Sequence, residues 1–248
     1  MTCAEGSRKR LSFADQRASM VERHLRRRGI RDDGVLQTMA RVPRHAFVPP
    51  EWRREAYADS PLPIGEGQTI SQPYIVAVMT EALSLRGCEK VLEIGTGCGY
   101  QTAILAELAD VIWTTERSPA LARGARIRLR ELGYRRIHIE QGDGTVGLER
   151  EAPFDRIIAT GSLPNAPAGL LDQLVEGGIL VAPIGNLCEQ QLIRLESTGN
   201  GVRRRSLGAC RFVPLVGVAG WDERAAGRTY QRSEYTGKTD ERGRLGID

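Results

Sequence analysis

Apolar positions follow two regimes along the 248-residue chain. Up to about residue 85 they recur at helical spacing. Met20, Val21 and Leu25 share one stripe of a helix expected to begin at Asp15, with Gly29 as its stop. A second helix is expected over Asp33–Val42, ended by Pro43, and a short helical piece over Glu51–Tyr57. Ala58–Gln72 is expected to be a loop, after which Pro73 opens a helix reading PYIVAVMTEALSL. From Lys90 onward short strand-like runs alternate with helical stretches, as a parallel sheet with crossover helices requires. The strands fall at Lys90–Gly95, Asp110–Glu116, Arg136–Gln141, Phe154–Thr160 and Gly178–Gly185, with helices at Gly99–Leu108, Pro119–Leu132 and Ala166–Leu174 between them. QQLIRLES and LGACRFVPLVG are expected as closing antiparallel strands, joined through the Gly-Asn-Gly turn at Gly199–Gly201. The pattern therefore predicts an α/β fold: a mostly parallel central sheet flanked by helices, with an N-terminal helical segment. Beyond Trp221 charge and glycine replace apolar periodicity, so the expected organisation is a flexible stretch over 1–14, a single domain over 15–221 and a disordered tail over 222–248.

Composition narrows this picture without changing it. The length suits one α/β domain, and 28 glycines with 5% aromatics suit a twisted sheet cut by tight turns. No apolar run reaches the roughly 18 residues of a membrane span, and MTCAEGSRKR lacks the apolar centre of a signal peptide, so a cytoplasmic protein without a membrane partner is expected. Five scattered cysteines with no CxxC pair argue for a reducing compartment, without disulfides or a metal site. The net charge of +4 is slight, and much of it sits at Arg23, Arg26, Arg27, Arg28 and Arg31. That run suits a solvated helix face better than a polyanion-binding patch, which usually carries a stronger bias, so nucleic acid is not an expected partner.

Candidate chemistry begins where VLEIG runs into GTGCGY. Gly95, Gly97 and Gly99 fall in the turn between the first strand of the sheet and its helix, where an open parallel sheet binds ligands. The spacing is GxGxG, not the dinucleotide fingerprint GxGxxG, and a carboxylate, Glu93, stands just before it. Glu116 closes the next strand, 21 residues after Gly95, placed to accept both hydroxyls of a ribose. Asp143, in the QGDGT turn after the third strand, is placed to take an exocyclic adenine amine. Three acids at successive strand ends suit a ligand combining adenosine with positive charge and would repel a pyrophosphate, which points to S-adenosyl-L-methionine as cofactor. Cys98, inside the turn with no nearby histidine, is expected to be a small apolar filler.

The substrate is less legible. The Asp/Asn-Pro-Pro-aromatic turn of base-amino methyltransferases is absent: Ala159-Thr160-Gly161-Ser162 stands after the fourth strand, with no cysteine to attack a pyrimidine. Taken together and in order, DSPLPIGEGQTISQP, VLEIGTGCGYQTAILAEL, GDG, EAPFDRIIAT, QLVEGGILVAPIG and RFVPLVG resemble the protein-L-isoaspartate O-methyltransferase family, over about Val21–Gly217. The resemblance implies a Rossmann-like S-adenosylmethionine methyltransferase fold and methyl transfer to the free α-carboxylate of L-isoaspartyl residues in damaged proteins or peptides, acting as a monomer. It also implies that Ser71 is the active-site residue, that Thr69, Ile70, Ser71, Gln72, Thr160 and Val213 contact the peptide, and that Gln68, Thr69, Ile70, Ser71, Glu93, Gly95, Thr96, Gly97, Gly99, Glu116, Arg117, Asp143 and Gly144 hold the cofactor. Read by residue type alone, Thr69 and Ser71 also suit caps for the helix that follows. Gly161-Ser162-Leu163 departs from the family's usual Thr-Ala-Ala turn, and Thr145 and Leu148 stand where aromatics are common, all on the peptide side. Methylation of aspartate in a dedicated partner peptide, or of RNA through the arginine-rich helix, are the alternatives.

Overall fold

The computed structural model describes residues 11–226. A capping box opens the first helix, α1 (Phe13–Met20): the Ser12 hydroxyl accepts from Asp15 N–H while the Asp15 carboxylate takes Ser12 N–H. The chain continues through a π segment, Val21–Leu25, and a 3₁₀ turn, Arg26–Arg28, ending at Gly29 with φ 102°, a left-handed stop that glycine adopts without Cβ strain. Helix α2 (Asp33–Arg41) is capped by Asp32, whose side chain accepts from Val35 N–H. In place of the expected helical piece over Glu51–Tyr57 there is a 3₁₀ turn at Pro50–Trp52 followed by further turns.

The expected loop over Ala58–Gln72 contains a hairpin, β1 (Leu62–Gly65) and β2 (Gln68–Ile70), turning at Glu66 and Gly67 with φ of 51° and 67°. Its few apolar residues were too short a pattern to read, yet Leu62 and Ile70 face each other across the hairpin and are both buried. Helix α3 (Pro73–Ala82) follows with proline in its first turn.

The sheet then forms from β3 (Lys90–Ile94), β4 (Val111–Glu116), β5 (Ile137–Gln141), β6 (Phe154–Ala159), β7 (Leu174–Gly185), β8 (Gln190–Thr198) and β9 (Gly201–Cys210). Its order is β5-β4-β3-β6-β7-β8-β9, parallel from β5 to β7 and antiparallel through β8 and β9. Helices α4 (Tyr100–Ala106), α5 (Pro119–Glu131) and α6 (Ala168–Leu171) connect the parallel strands. Two differences from the sequence pattern stand out. The helix expected over Ala166–Leu174 shrinks to one turn, because β7 starts at Leu174, where it pairs with Phe154 of β6. The last strand is Gly201–Cys210, six residues upstream of the expected start: GVRRRSLGAC has no apolar alternation because it forms an exposed edge, paired on one side by β8. RFVPLVG instead leaves the sheet as an extended strap.

Strand residues alternate between two cores. Val91, Ile158, Ile179 and Val181 join Met79, Leu83 and Leu105 on the face toward α3 and α4, while Leu92, Ile157, Leu180 and Ala182 join Leu163 and Leu170 on the other. The N-terminal helices add a third layer, with Leu25, Met39 and Phe47 packed on Tyr100, Ile104 and Leu129. Of the expected tail, Asp222–Ala226 is described: residues 223–226 are helical and Ala226 is buried. The remaining expectations for the two termini, 1–10 and 227–248, lie outside the described residues. Among the described residues no helix is long and apolar enough to cross a membrane.

Candidate active site

The chain runs outward through β3, β4 and β5, then crosses back to β6 on the other side of β3, so the switch in strand order lies between β3 and β6. At the carboxyl ends of these strands is a cavity of about 410 Å³. Its walls are the glycine turn after β3, the end of β4 with the turn that follows it (Thr115–Pro119), Gly142, Gly144 and Thr145 after β5, Thr160 and Gly161 after β6, the hairpin residues Glu66, Gln68 and Thr69, and the strap Val213–Val216.

Backbone donors hold the key acid in place. Glu116 accepts from Gly97 N–H and from Ser118 N–H, one to each carboxylate oxygen and both at 2.8 Å, which spans the turns after β3 and β4 and keeps the carboxylate at the cavity wall. Glycine is required nearby. Gly95 has φ +96°, and a Cβ there would come within 2.6 Å of Thr160 Oγ1, whose hydroxyl bridges to the carbonyls of Ile94 and Gly95.

The other two acids stand back from the cavity wall. Glu93 lies beneath the glycine turn, fully buried and not at the cavity wall. Its Oε2 accepts from Thr102 Oγ1 at 2.6 Å and Thr114 Oγ1 at 2.7 Å, and with the Thr114 proton so committed, Thr96 Oγ1 donates to Thr114 at 2.7 Å. Burial pushes the Glu93 carboxyl up to about 8 despite the two hydroxyl donors, and the neighbouring Glu116 charge adds to the rise. Glu93 and Thr96 thus brace the turn from inside. Strand alternation explains this: Glu93 sits one residue before Ile94, which does line the cavity.

Asp143 is also absent from the wall, although Gly142, Gly144 and Thr145 around it are present. Its Oδ1 accepts from Thr145 N–H at 2.8 Å and Thr145 Oγ1 at 2.7 Å, and its Oδ2 from Val218 N–H at 2.7 Å. Partial burial would raise its pKa, but the bonds from Val218 and Thr145 and the nearby Arg117 charge outweigh that and hold it below the ordinary value. Asp143 is therefore the fastener between the turn after β5 and the strap, a role that a pattern confined to local spacing could not reveal.

Of the other expected residues, the structure brings Gln68, Thr69, Gly95, Gly97, Arg117, Gly144, Thr160 and Val213 to the same cavity. Gly99 packs behind it, where a Cβ would stand 3.1 Å from Leu129. Ile70 is buried under the hairpin and Ser71 follows it, half-buried, at the end of β2; neither is at the cavity wall. The Gln72 side-chain amide donates to the Asp59 carbonyl and carboxylate, and Asp59 also accepts from Tyr74 N–H and pairs with Arg28, whose guanidinium lies 3.5 Å over the Tyr74 ring. Asp59 thereby ties the end of the hairpin to the arginine-rich N-terminal segment. In that segment Arg26 and Arg27 pair with Glu22, and Arg26 also with Asp33. Pro214, Leu215, Val216 and Glu66 are among the wall residues not singled out in the sequence; the RFVPLVG motif was the one signal for the first three.

The residues present suit the cofactor expected for this turn. An acid fixed by two backbone amides faces a cavity whose glycines leave space for a ligand against the main chain. Residues 15–220 match the family model described as Protein-L-isoaspartate(D-aspartate) O-methyltransferase (PCMT). The chain belongs to this family. It is 51% identical over 212 residues to Protein-L-isoaspartate O-methyltransferase 1 of Syntrophobacter fumaroxidans, covering 86% of this chain and 99% of that one. It is 52% identical over 211 residues to Protein-L-isoaspartate O-methyltransferase of Dictyoglomus thermophilum, covering 85% and 96%. Among solved structures, the "beta-aspartate methyltransferase (PCMT) from Plasmodium falciparum in complex with S-adenosyl-L-homocysteine" matches with TM-score 0.70 and 27% identity, over 81% of this chain and 98% of that one. The fold is the Rossmann-like methyltransferase fold of the protein-L-isoaspartate O-methyltransferases, and S-adenosylmethionine is the cofactor of this family.

Proposed function

We propose that this enzyme transfers the methyl group of S-adenosylmethionine to the free α-carboxylate of L-isoaspartyl residues in damaged proteins or peptides. The observation that carries the reading is one shared cavity: Glu116 and the glycine turn line it together with Gln68 and Thr69 of the hairpin and Thr160 after β6. When bound, S-adenosylmethionine supplies an electrophilic methyl on a sulfonium, and the carboxylate oxygen takes that methyl as the sulfur keeps the bonding electron pair. Glu116 accepts the ribose hydroxyls, and Gly95, Gly97 and Gly144 let the cofactor lie against the backbone. Arg117 borders the same side.

No general base is required, since a carboxylate is already ionised at neutral pH. The protein's task is to aim one oxygen at the methyl and to exclude water. Thr69, Ile70, Ser71 and Gln72 belong to the segment that presents hydroxyl and amide groups to the peptide carboxylate, with Ser71 as the active-site residue and Thr160 and Val213 on the facing wall. The ester product then closes to a succinimide by attack of the neighbouring backbone nitrogen with loss of methanol, and water opens the ring partly to normal aspartate without the enzyme. Action as a monomer in a cytoplasmic setting is part of this proposal; the four described cysteines, Cys88, Cys98, Cys188 and Cys210, are free.

The test is methyl transfer from labelled S-adenosylmethionine to a peptide pair differing only in isoaspartate against aspartate, with wild type and Ser71→Ala. Ester formed on the isoaspartyl peptide alone, and reduced in the variant, is the expected result. No transfer to either peptide despite cofactor binding would overturn general repair and leave a dedicated peptide partner or RNA as the substrate.

A further inference from the structure

The part of the cavity wall made by Thr160, Gly161 and Val213–Val216 consists of two segments held together by main-chain bonds. Ser162 N–H donates to Val213 C=O at 2.8 Å, and Leu215 N–H donates to Ser162 C=O at 3.0 Å. Gly161 permits this approach: a Cβ there would stand 2.8 Å from Leu215 Cγ and 3.0 Å from the Val213 carbonyl oxygen. Past Val216 the strap folds back on itself. Gly220 N–H bonds Gly217 C=O, Gly217 N–H bonds Trp221 C=O, and Trp221 N–H bonds Leu215 C=O at 2.8 Å.

Trp221 also reaches across this loop. Its indole Nε1–H donates to the Ser162 carbonyl at 3.0 Å, so that one oxygen takes a donor from the wall segment and a second from Trp221. Ser162, Leu215 and Trp221 thus form a closed triangle of three hydrogen bonds behind Gly161. The other end of the loop has independent fasteners on the Asp143 side: Val218 N–H to Asp143, and Ala219 N–H to Thr145 Oγ1 at 3.1 Å. Trp221 stands one residue beyond the stretch that matches the family model.

We infer that Trp221 is a positioning residue for the peptide side of the cleft: it holds the Gly161–Ser162 turn and the Val213–Leu215 wall at a set separation, whereas the Asp143 and Thr145 fasteners serve the cofactor side. This rests on the methyl-transfer reading for its kinetic consequence and on the geometry alone for its structural one. Replacing Trp221 by Phe keeps an aromatic ring and removes the indole donor; replacing it by Ala removes both.

Both variants are compared with wild type by amide hydrogen exchange and by steady-state methylation of an isoaspartyl peptide, with calorimetric titration of S-adenosylmethionine. The expected result for Trp221→Phe is faster exchange at Ser162 and Leu215 with Val218 unchanged. Catalytic efficiency for the peptide falls roughly twofold to tenfold, the worth of one neutral hydrogen bond, through peptide KM and not kcat, while cofactor affinity stays within about twofold. Trp221→Ala shows the same split, enlarged. Cofactor affinity falling in step with peptide efficiency, or exchange at Ser162 and Leu215 unaltered in Trp221→Phe, would overturn the inference. If wild type forms no ester on the peptide, the activity reading fails, and the exchange measurement alone still decides the role of Trp221.

Discussion

The two sides of the cavity are built by different means. On the cofactor side, Glu116 is clamped by amides of the turns after β3 and β4, and those turns follow directly from parallel strands whose register is set by the sheet. On the peptide side, the hairpin and the strap lie outside the seven-stranded sheet and are tied down by Asp59 and Trp221, while Asp143 fastens the strap's return to the cofactor side. The first arrangement makes a site that is hard to alter without damaging the core. The second lets a surface change while the sheet stays as it is, which suits a site that must accept varied peptides.

Substitutions can separate the two sides. The largest effect is expected for Glu116→Ala, which removes the acceptor for Gly97 and Ser118 as well as for the ribose. Two charge-assisted bonds at about 1.5–3 kcal/mol each imply a loss of S-adenosylmethionine affinity of roughly a hundredfold to ten-thousandfold, readable by calorimetry. Gly95→Ala comes next. A left-handed backbone costs about 1–2 kcal/mol for a residue with a Cβ, and the contact with Thr160 Oγ1 adds to it. The expected outcome is a lower thermal midpoint together with weaker cofactor binding; an unchanged midpoint would mean that the turn is more pliable than its geometry implies.

Glu93→Gln sharpens the contrast between an acid that faces the cavity and one that braces it. The folded-state pKa of Glu93 is raised to about 8, so between the ordinary carboxylate range and pH 8 the folded protein binds a proton that the unfolded chain releases. Its contribution to stability is whole below about pH 4.5 and is lost progressively as pH rises toward 8. Chemical denaturation of wild type should show this decline, by up to about 1.4 kcal/mol per pH unit, and Glu93→Gln should flatten it. Parallel stability curves for the two proteins would refute the assignment. The smallest effect belongs to Asp59→Asn, which weakens the tie to Arg28 at the end of the hairpin. Peptide KM should rise roughly threefold with cofactor affinity unchanged, in keeping with one partly exposed charged contact.

Much of the fold was legible because strand and helix periods are local. β3 to β6 lie within one residue of the expected strands, and the Gly29 and Pro73 boundaries hold, since a left-handed stop and a first-turn proline act through their own backbone. The hairpin β1–β2 was not legible: three- and four-residue strands carry too few positions for an alternating pattern. The edge strand β9 was expected but placed six residues late for the opposite reason, because its outward residues need no apolar face when β8 supplies the pairing.

The same division runs through the site. The sequence by itself determined that glycines and acids stand at successive strand ends, because their spacing along the chain already places them where a parallel sheet turns. It also carried the motifs that assign the chain to its family. Only the tertiary structure decided which way each acid points and what it holds: Glu116 toward the cavity, Glu93 into the core beneath the turn, Asp143 onto a strap that returns from 75 residues further along the chain. Those choices depend on contacts between segments distant in sequence, where burial and the supply of hydrogen-bond donors select among orientations that local spacing leaves equal.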